Sequence, residues 1–297
     1  MAHTYCPGLT GHFTYFGTHV FFPRGAWIFR LACEQGIYES ELLTLILGLV
    51  TPNSWFFDVG ANIGLMSVPV LSQRPLVKVL SFEPSPNSLP YLLRTWQECP
   101  WKDRWELRSM AAGQKKGMAE FSLGPSALAG YDGLQYTNRV ARIGTHTVEI
   151  TTLDDEWIAL GRPQVSFIKL DIEGAEIHAL NGAASILSEC RPYVIVEWYA
   201  ENLVAYGGKA EDLLEFARRL VYDVVAIPTM SLVNTAPLLR ALMVRTSAFM
   251  LVPAGRELLH EGNNNFGAPE AVTDRPHRGA GQPSTSDPLV LHQLPHE

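Results

Sequence analysis

The sequence predicts an α/β fold built on a doubly wound, mostly parallel sheet of the Rossmann-like kind. Three observations carry that prediction. Short apolar runs alternate with helix-spaced patterns from residue 51 to residue 253. Several runs are hydrophobic throughout, as parallel strands covered on both faces must be. The first of them ends in an acid and passes directly into "DVGANIG", a turn with little side chain between a strand and a helix.

Residues 1–50 form the first zone. Its alternating aromatic stretch "HFTYFGTHVFF" predicts a hairpin turning near Gly17-Thr18. Leu42, Leu43, Ile46, Leu47 and Val50 then share one face of a helix that begins near Glu39. This zone is expected to be a lid or a substrate-side extension, and its apolar surface would also suit a homodimer. In residues 51–253, "WFFDV", "KVLSF", "WELRSMA", "VSFIKL", "YVIVEW", "YDVVAI" and "SAFMLV" read as strands. Helices are expected over 63–71, 86–99, 175–188 and 210–220. "MAEFSL" and "HTVEIT" read as additional strands flanking a Gly-rich stretch, 124–144, long enough to be a lid, a binding loop or disorder. Residues 254–297, rich in Pro, Gly, Asn and Ser, are expected to be a disordered tail.

Composition narrows the function. A chain of 297 residues with 47% hydrophobic residues can bury a large core. Its net charge of −7, with no Lys/Arg block, argues against nucleic acid as partner. Cys6, Cys33, Cys99 and Cys190 lie far apart with no CxxC pair, so neither a zinc framework nor a disulfide set is expected. The first residues lack the basic and apolar regions of a signal peptide. The most apolar window, Leu42–Val50, is too short for a bilayer. A cytoplasmic protein without membrane attachment is the resulting expectation.

The chemistry sits in two blocks. In the first, Asp58, Gly60, Asn62 and Gly64 form D-x-G-x-N-x-G. Glycine supplies positive φ without a Cβ, and Asn tolerates the same conformation, so a ligand can approach this backbone closely. A dinucleotide fingerprint would read G-x-G-x-x-G; here an acid precedes the first Gly and the last Gly comes one residue late. About 20 residues on, a spacing typical of ribose-binding acids, Glu83 ends the next strand and can accept both hydroxyls of a ribose. Two carboxylates repel a pyrophosphate. They suit S-adenosylmethionine, with its sulfonium, ammonium and free ribose diol. In the second block, "FIKLDIEGAEIHALNGA", Asp171 stands at the carboxyl edge of a strand and Glu173 in the turn after it. Glu176 reads as complementing the helix dipole. Glu197 ends the following strand. Asp171, Glu173 and Glu197 are the catalytic candidates, as general bases for a hydroxyl. They could also hold a hard divalent cation, but no second ligand set is specified and no metal is expected. Lys169, inside an apolar strand, pairs with a neighbouring acid or snorkels to a sheet edge. His178 reads as helix surface; His12, His19 and His146, in the hairpin and loop region, read as structural, with a base among them as the alternative.

With these residues in place, "DVGANIG", "FEPSPNSLPYLL", "LRSMAAG", "TTLDDEW", "FIKLDIEGAEIHALNGA" and "RPYVIVEWY" resemble the FkbM-type S-adenosylmethionine-dependent methyltransferases, in that family's order. The resemblance spans about residues 36–199. It implies the seven-stranded class I methyltransferase fold, with its last two strands an antiparallel hairpin. It also implies O-methylation of a small molecule such as a sugar or polyketide hydroxyl. By position, Asp58, Gly60, Asn62 and Gly64 would hold the methionine portion and Glu83 the ribose. Ser109, Met110 and Ala111 would lie beside adenine, and Tyr38 and Glu39 would close over the cofactor. The hairpin, the 124–144 stretch and the tail match poorly, and they would choose the substrate. Two other classes compete: a non-catalytic module of the same fold, and an NAD-dependent oxidoreductase, against which Asp58 and the late Gly64 count.

Overall fold

The computed structural model describes residues 11–256; the tail expected from residue 254 lies almost wholly outside the described residues. The chain opens with the expected hairpin, β1 (Gly11–Tyr15) and β2 (Thr18–Phe22), paired antiparallel. Helix α1 (Trp27–Gln35) follows, and then α2 (Ser40–Leu49). Next come β3 (Trp55–Val59), α3 (Ser67–Gln73), β4 (Lys78–Phe82), α4 (Leu89–Glu98) and β5 (Trp105–Arg108). Three strands then leave the main layer: β6 (Ala111–Ala112), β7 (Gly117–Leu123) and β8 (Gly144–Thr151). The chain returns through α5 (Leu153–Ala159), β9 (Val165–Leu170), α6 (Glu176–Asn181), α7 (Ala184–Glu189) and β10 (Tyr193–Glu197). It closes with α8 (Ala200–Ala205), α9 (Asp212–Arg219), β11 (Tyr222–Ala226), β12 (Ser231–Leu232), α10 (Ala236–Leu242) and β13 (Ala248–Pro253).

The main sheet runs β12-β11-β13-β10-β9-β3-β4-β5. Strands β10, β9, β3, β4 and β5 are parallel neighbours. β13 is inserted antiparallel between β10 and β11. The order reverses between β3 and β9, which is where open α/β sheets bind ligands. This is the class I methyltransferase arrangement, with the last two long strands paired antiparallel as expected and the two-residue β12 added at the edge. The central strands are buried on both faces. Phe57, Val59, Leu80, Ile168 and Val194 pack under α5–α10 in one core cluster. No helix among the described residues is long and apolar enough to cross a membrane.

Some boundaries differ from expectation, for physical reasons. "WELRSMA" is two strands, because the chain leaves the main sheet after Arg108, whose Nε donates to Glu156 Oε2 at 2.6 Å, and Ala111–Ala112 pairs instead with β8. The helix expected over 175–188 is broken into α6 and α7 at Gly182. A Cβ there would lie 2.1 Å from the Gly113 carbonyl oxygen, so backbone from the smaller sheet occupies the space. The helix expected from residue 63 begins only at Ser67, because residues 61–66 form the turn. Helix α4 starts at Leu89, with Pro90 in its first turn. Helices α1, α5, α8 and α10 had no counterpart in the sequence reading.

The N-terminal zone folds onto the main unit. The Phe21 N–H donates to Thr95 Oγ1 of α4 at 3.1 Å. The Phe22 and Phe29 rings stack at 3.8 Å, tying β2 to α1.

Gly60 fixes the end of β3 against β9. Its φ is +86°, and a Cβ would stand 1.9 Å from the Asp171 carbonyl oxygen. Gly60→Ala is expected to cost about 3 kcal/mol or more of folding stability in urea unfolding. A loss below about 1 kcal/mol would show that the two strand ends are free to part.

Candidate active site

A cleft lies over the carboxyl ends of β4, β3, β9 and β10. It holds Glu39, Asp58, Gly60, Asn62, Glu83, Met110, Ala111, Asp171, Glu173 and Glu197. Two predicted residues are elsewhere. Ser109 is exposed and outside the cleft. Gly64 serves packing: its φ is +94°, and a Cβ would meet Trp105 at 3.0 Å and Leu92 at 3.2 Å.

The floor is set by strand register. Side chains two apart share a face, and Asp58 is opposite both Ser81 of β4 and Lys169 of β9. Ser81, Asp58 and Lys169 therefore form a buried polar row on the face away from the main core cluster. From Trp105 the hydrogen bonds run in one direction. Trp105 Nε1 donates to Ser81 Oγ at 2.8 Å, Ser81 Oγ meets Ser67 Oγ at 2.8 Å, and Ser67 Oγ donates to Asp58 Oδ2 at 2.5 Å. Asp58 Oδ1 is buried without a hydrogen-bond partner. Burial pushes the Asp58 carboxyl above the usual range, against the opposing pull of Lys169.

Lys169 is the hub. Its Nζ donates to Asp171 Oδ2 at 2.7 Å. Burial alone would favour the neutral amine, but Asp171, Glu39 and Asp58 hold the ammonium above its ordinary range. Burial likewise works against the Asp171 carboxylate, and Lys169 overcomes it, holding Asp171 below the usual range. Asp171, Glu173 and Glu197 bring one carboxylate oxygen each within 4.8 Å of one another, so the sequence-predicted cluster is assembled. Burial and the nearby Asp171 raise Glu197 well above a normal carboxyl, and its Oε2 has no partner. Glu173, in the left-handed region at φ 56°, is pushed up to about 8 by burial despite Arg139. Glu176 caps the β9–α6 loop, with Oε1 accepting from the N–H groups of Ile172 and Gly174 at 3.1 and 3.2 Å. Its role is thus loop closure as well as dipole complement.

Glu83 stands at the β4 edge. Its Oε2 accepts from the Asn62 N–H and its Oε1 from the Ser85 N–H, each at 2.8 Å. The carboxyl thus fixes the bare turn, and the residue also lines the cleft. Burial pushes Glu83 up to about 8. Tyr38 and Glu39 do reach the cleft. Glu39, at φ 44°, leads into α2, and its Oε2 is buried and unpartnered.

The roof comes from the two stretches named as candidate lids, residues 1–50 and 124–144, through residues that the sequence did not single out. α1 contributes Pro23, Ala26, Trp27, Ile28 and Leu31 from its start and face, and a 3-10 turn, Ser126–Tyr131, covers the cleft from within the 124–144 stretch. Asp132 orders that stretch, accepting from the Gly124 N–H at 2.7 Å, Asn87 Nδ2 at 2.9 Å and Ser85 Oγ at 2.5 Å. Arg139 follows, its Nη1 donating to Glu173 Oε2 at 2.7 Å. No histidine among the described residues lines the cleft.

The donor set fits the expected cofactor. Three buried, unpartnered carboxylate oxygens, on Glu39, Asp58 and Glu197, surround the cleft centre and suit a cationic ligand. Glu83, two strands from β9, suits a diol.

Glu83 titrates near 8 in the folded chain, against an ordinary 4.5. Stability from its neutral form is present in full below about 4.5 and is lost as pH rises through 8. Between pH 6 and 9 the melting temperature of the ligand-free protein is expected to fall by about 5 °C more than that of Glu83→Gln, in differential scanning calorimetry. Parallel profiles would remove the buried, raised carboxyl.

A family model described as "Methyltransferase FkbM domain" matches residues 58–224, more than half of the chain. Hexuronic acid methyltransferase AglP of Haloferax volcanii is 27% identical over 174 residues, which is 58% of this chain and 66% of that protein. The chain thus spans just under two thirds of that curated relative. Among solved structures, methyltransferase FkbM from Methylobacillus flagellatus aligns at 18% identity with a TM-score of 0.44, covering 75% of this chain and 52% of that one. A structure described as a putative rRNA methylase from Clostridium thermocellum aligns at 12% identity with a TM-score of 0.42, covering 71% and 92%.

Proposed function

The chain belongs to the FkbM methyltransferase family, and we propose that it transfers the methyl group of S-adenosylmethionine to a hydroxyl oxygen of a small, sugar-like acceptor. The observation that carries this reading is the row of acids along neighbouring strand ends: Glu83 on β4, Asp58 on β3, Asp171 and Glu173 after β9, and Glu197 on β10. A row of that kind matches, in order, a ribose diol, a cationic amino acid portion and a hydroxyl to be deprotonated. The hexuronic acid named for the Haloferax relative favours a sugar among acceptors.

When bound, the cofactor supplies an electrophilic methyl group on a sulfonium. The chain's own residues do the rest. Glu83 would accept the ribose hydroxyls, while Asp58, Gly60 and Asn62 would hold the amino acid portion. Glu39 and Tyr38 would close over it from the start of α2. Alignment is the main contribution of such a site. Asp171 is the carboxylate kept ionised at neutral pH, by the Lys169 ammonium 2.7 Å away. It would take the acceptor's proton, while burial and the Asp171 charge raise the neighbouring Glu197 carboxyl. A carboxylate of low basicity suffices here, because a hydroxyl becomes strongly acidic as its oxygen gains a new C–O bond.

Asp171→Asn is expected to lower turnover by about 100-fold or more. Its affinity for S-adenosylhomocysteine should stay within about threefold, since the substituted group faces the acceptor. Single-turnover methyl transfer and calorimetry separate the two quantities. Equal losses in both would make Asp171 a cofactor ligand instead of the base.

A further inference from the structure

Seven acids and two cations line the cleft, and the cations are Lys169 and Arg139. Lys169 is committed: it is buried and rests on Asp171. Arg139 is available. Its guanidinium lies 4.5 Å from the Tyr131 ring centroid and 4.7 Å from that of Tyr199, so aromatic groups hold it on two sides. Of its nitrogens only Nη1 is hydrogen-bonded, to Glu173 Oε2, and that same oxygen also accepts from Asn202 Nδ2 at 2.9 Å. The remaining N–H donors of the fork have no acceptor among the described residues. Glu173 is itself pushed up to about 8, so near neutral pH it leaves part of the arginine's charge uncompensated.

Position gives this group its meaning. Tyr199 follows β10, whereas Glu83 ends β4, and β9 and β3 lie between them. Three strand spacings separate the two edges, roughly 14 Å. The Glu83 edge of the cleft and the Tyr199 edge, against which Arg139 packs, are therefore apart, with Asp171 after β9 between them. We infer that Arg139, held by Tyr131 and Tyr199, forms an acceptor subsite that recognises a carboxylate, so that the acceptor is an acidic sugar of the uronic acid class. This rests on the methyltransferase reading above and deepens it. In a cleft this rich in acids an anionic acceptor needs a dedicated cation, and a guanidinium fork matches a carboxylate with two parallel hydrogen bonds. A neutral sugar offers those donors only hydroxyl oxygens and leaves the guanidinium without a counter-ion.

The test uses the full-length protein loaded with S-adenosylhomocysteine. Calorimetric titrations compare the methyl glycosides of glucuronic and galacturonic acid with those of glucose and galactose. Wild type is expected to bind at least one uronide about tenfold or more tightly than its neutral counterpart. Arg139→Gln should erase that preference while holding S-adenosylhomocysteine within about twofold, and Arg139→Lys should keep a weaker preference. Equal binding of acidic and neutral sugars by wild type overturns the subsite, as does a preference that survives Arg139→Gln. Should Arg139→Gln fail to fold, the wild-type preference and its partial loss in Arg139→Lys decide the question. Absence of S-adenosylhomocysteine binding overturns the underlying methyltransferase reading instead.

Discussion

One buried ammonium makes the cleft possible. Lys169 lies within a strand whose every residue is buried, where an isolated charge would be very costly. It is kept charged by three carboxylates from three elements: Asp58 beside it on β3, Asp171 at the end of its own strand, and Glu39 at the start of α2. The dependence is mutual. Without Lys169, Asp58, Asp171 and Glu39 would face one another in a low-dielectric pocket and would have to take up protons. With it, Asp171 remains ionised while Glu197 and Glu173 carry raised carboxyls. The cation thus sets Asp171, held below the usual carboxyl range, apart from Glu173 and Glu197, which burial raises. Such division is what a site needs when it must attract a cationic ligand and also accept a proton.

The fold delivers those groups by register. Asp58 and Lys169 are cross-strand partners, so the pairing of β3 with β9 places the acid beside the ammonium. Gly60 and Gly174 then let the loops after those strands approach closely. A Cβ on Gly60 would strike the Asp171 carbonyl, and one on Gly174 would lie 2.7 Å from the Tyr206 ring. The opening turn has a dual purpose: part of its bareness faces the cleft, and part, at Gly64, admits Trp105 and Leu92. The N-terminal zone contributes the roof through α1 and brings the Glu39 charge to bear on Lys169.

Much of this was legible in the sequence wherever burial leaves a periodic trace. The runs "WFFDV", "KVLSF" and "VSFIKL" coincide with β3, β4 and β9 because strands buried on both faces are uninterrupted apolar segments. The acids at their ends stood out against that background, and so did Lys169. What stayed hidden depends on contacts between distant segments. The break at Gly182 exists because Gly113 arrives from the smaller sheet, and no local signal announces it. α1 has no side-chain cap at its start, and only Phe29 and Ala32 are buried along it. Arg139 sits in a stretch without periodicity, and only the folded chain places it between Tyr131 and Tyr199. Ser109 fell one residue outside the cleft that Met110 and Ala111 line, because the strand ends at Arg108.

The bare turn and the acids around it are proposed to hold S-adenosylmethionine. The deciding experiment is calorimetric titration of the purified protein with S-adenosylmethionine, S-adenosylhomocysteine and NAD, on wild type and Glu83→Ala. Binding of the first two ligands is expected, none of NAD, and affinities at least about tenfold weaker in the variant. Binding of NAD, or of none of the three, would contradict that proposal and would return Asp58 and Glu83 to purely structural roles.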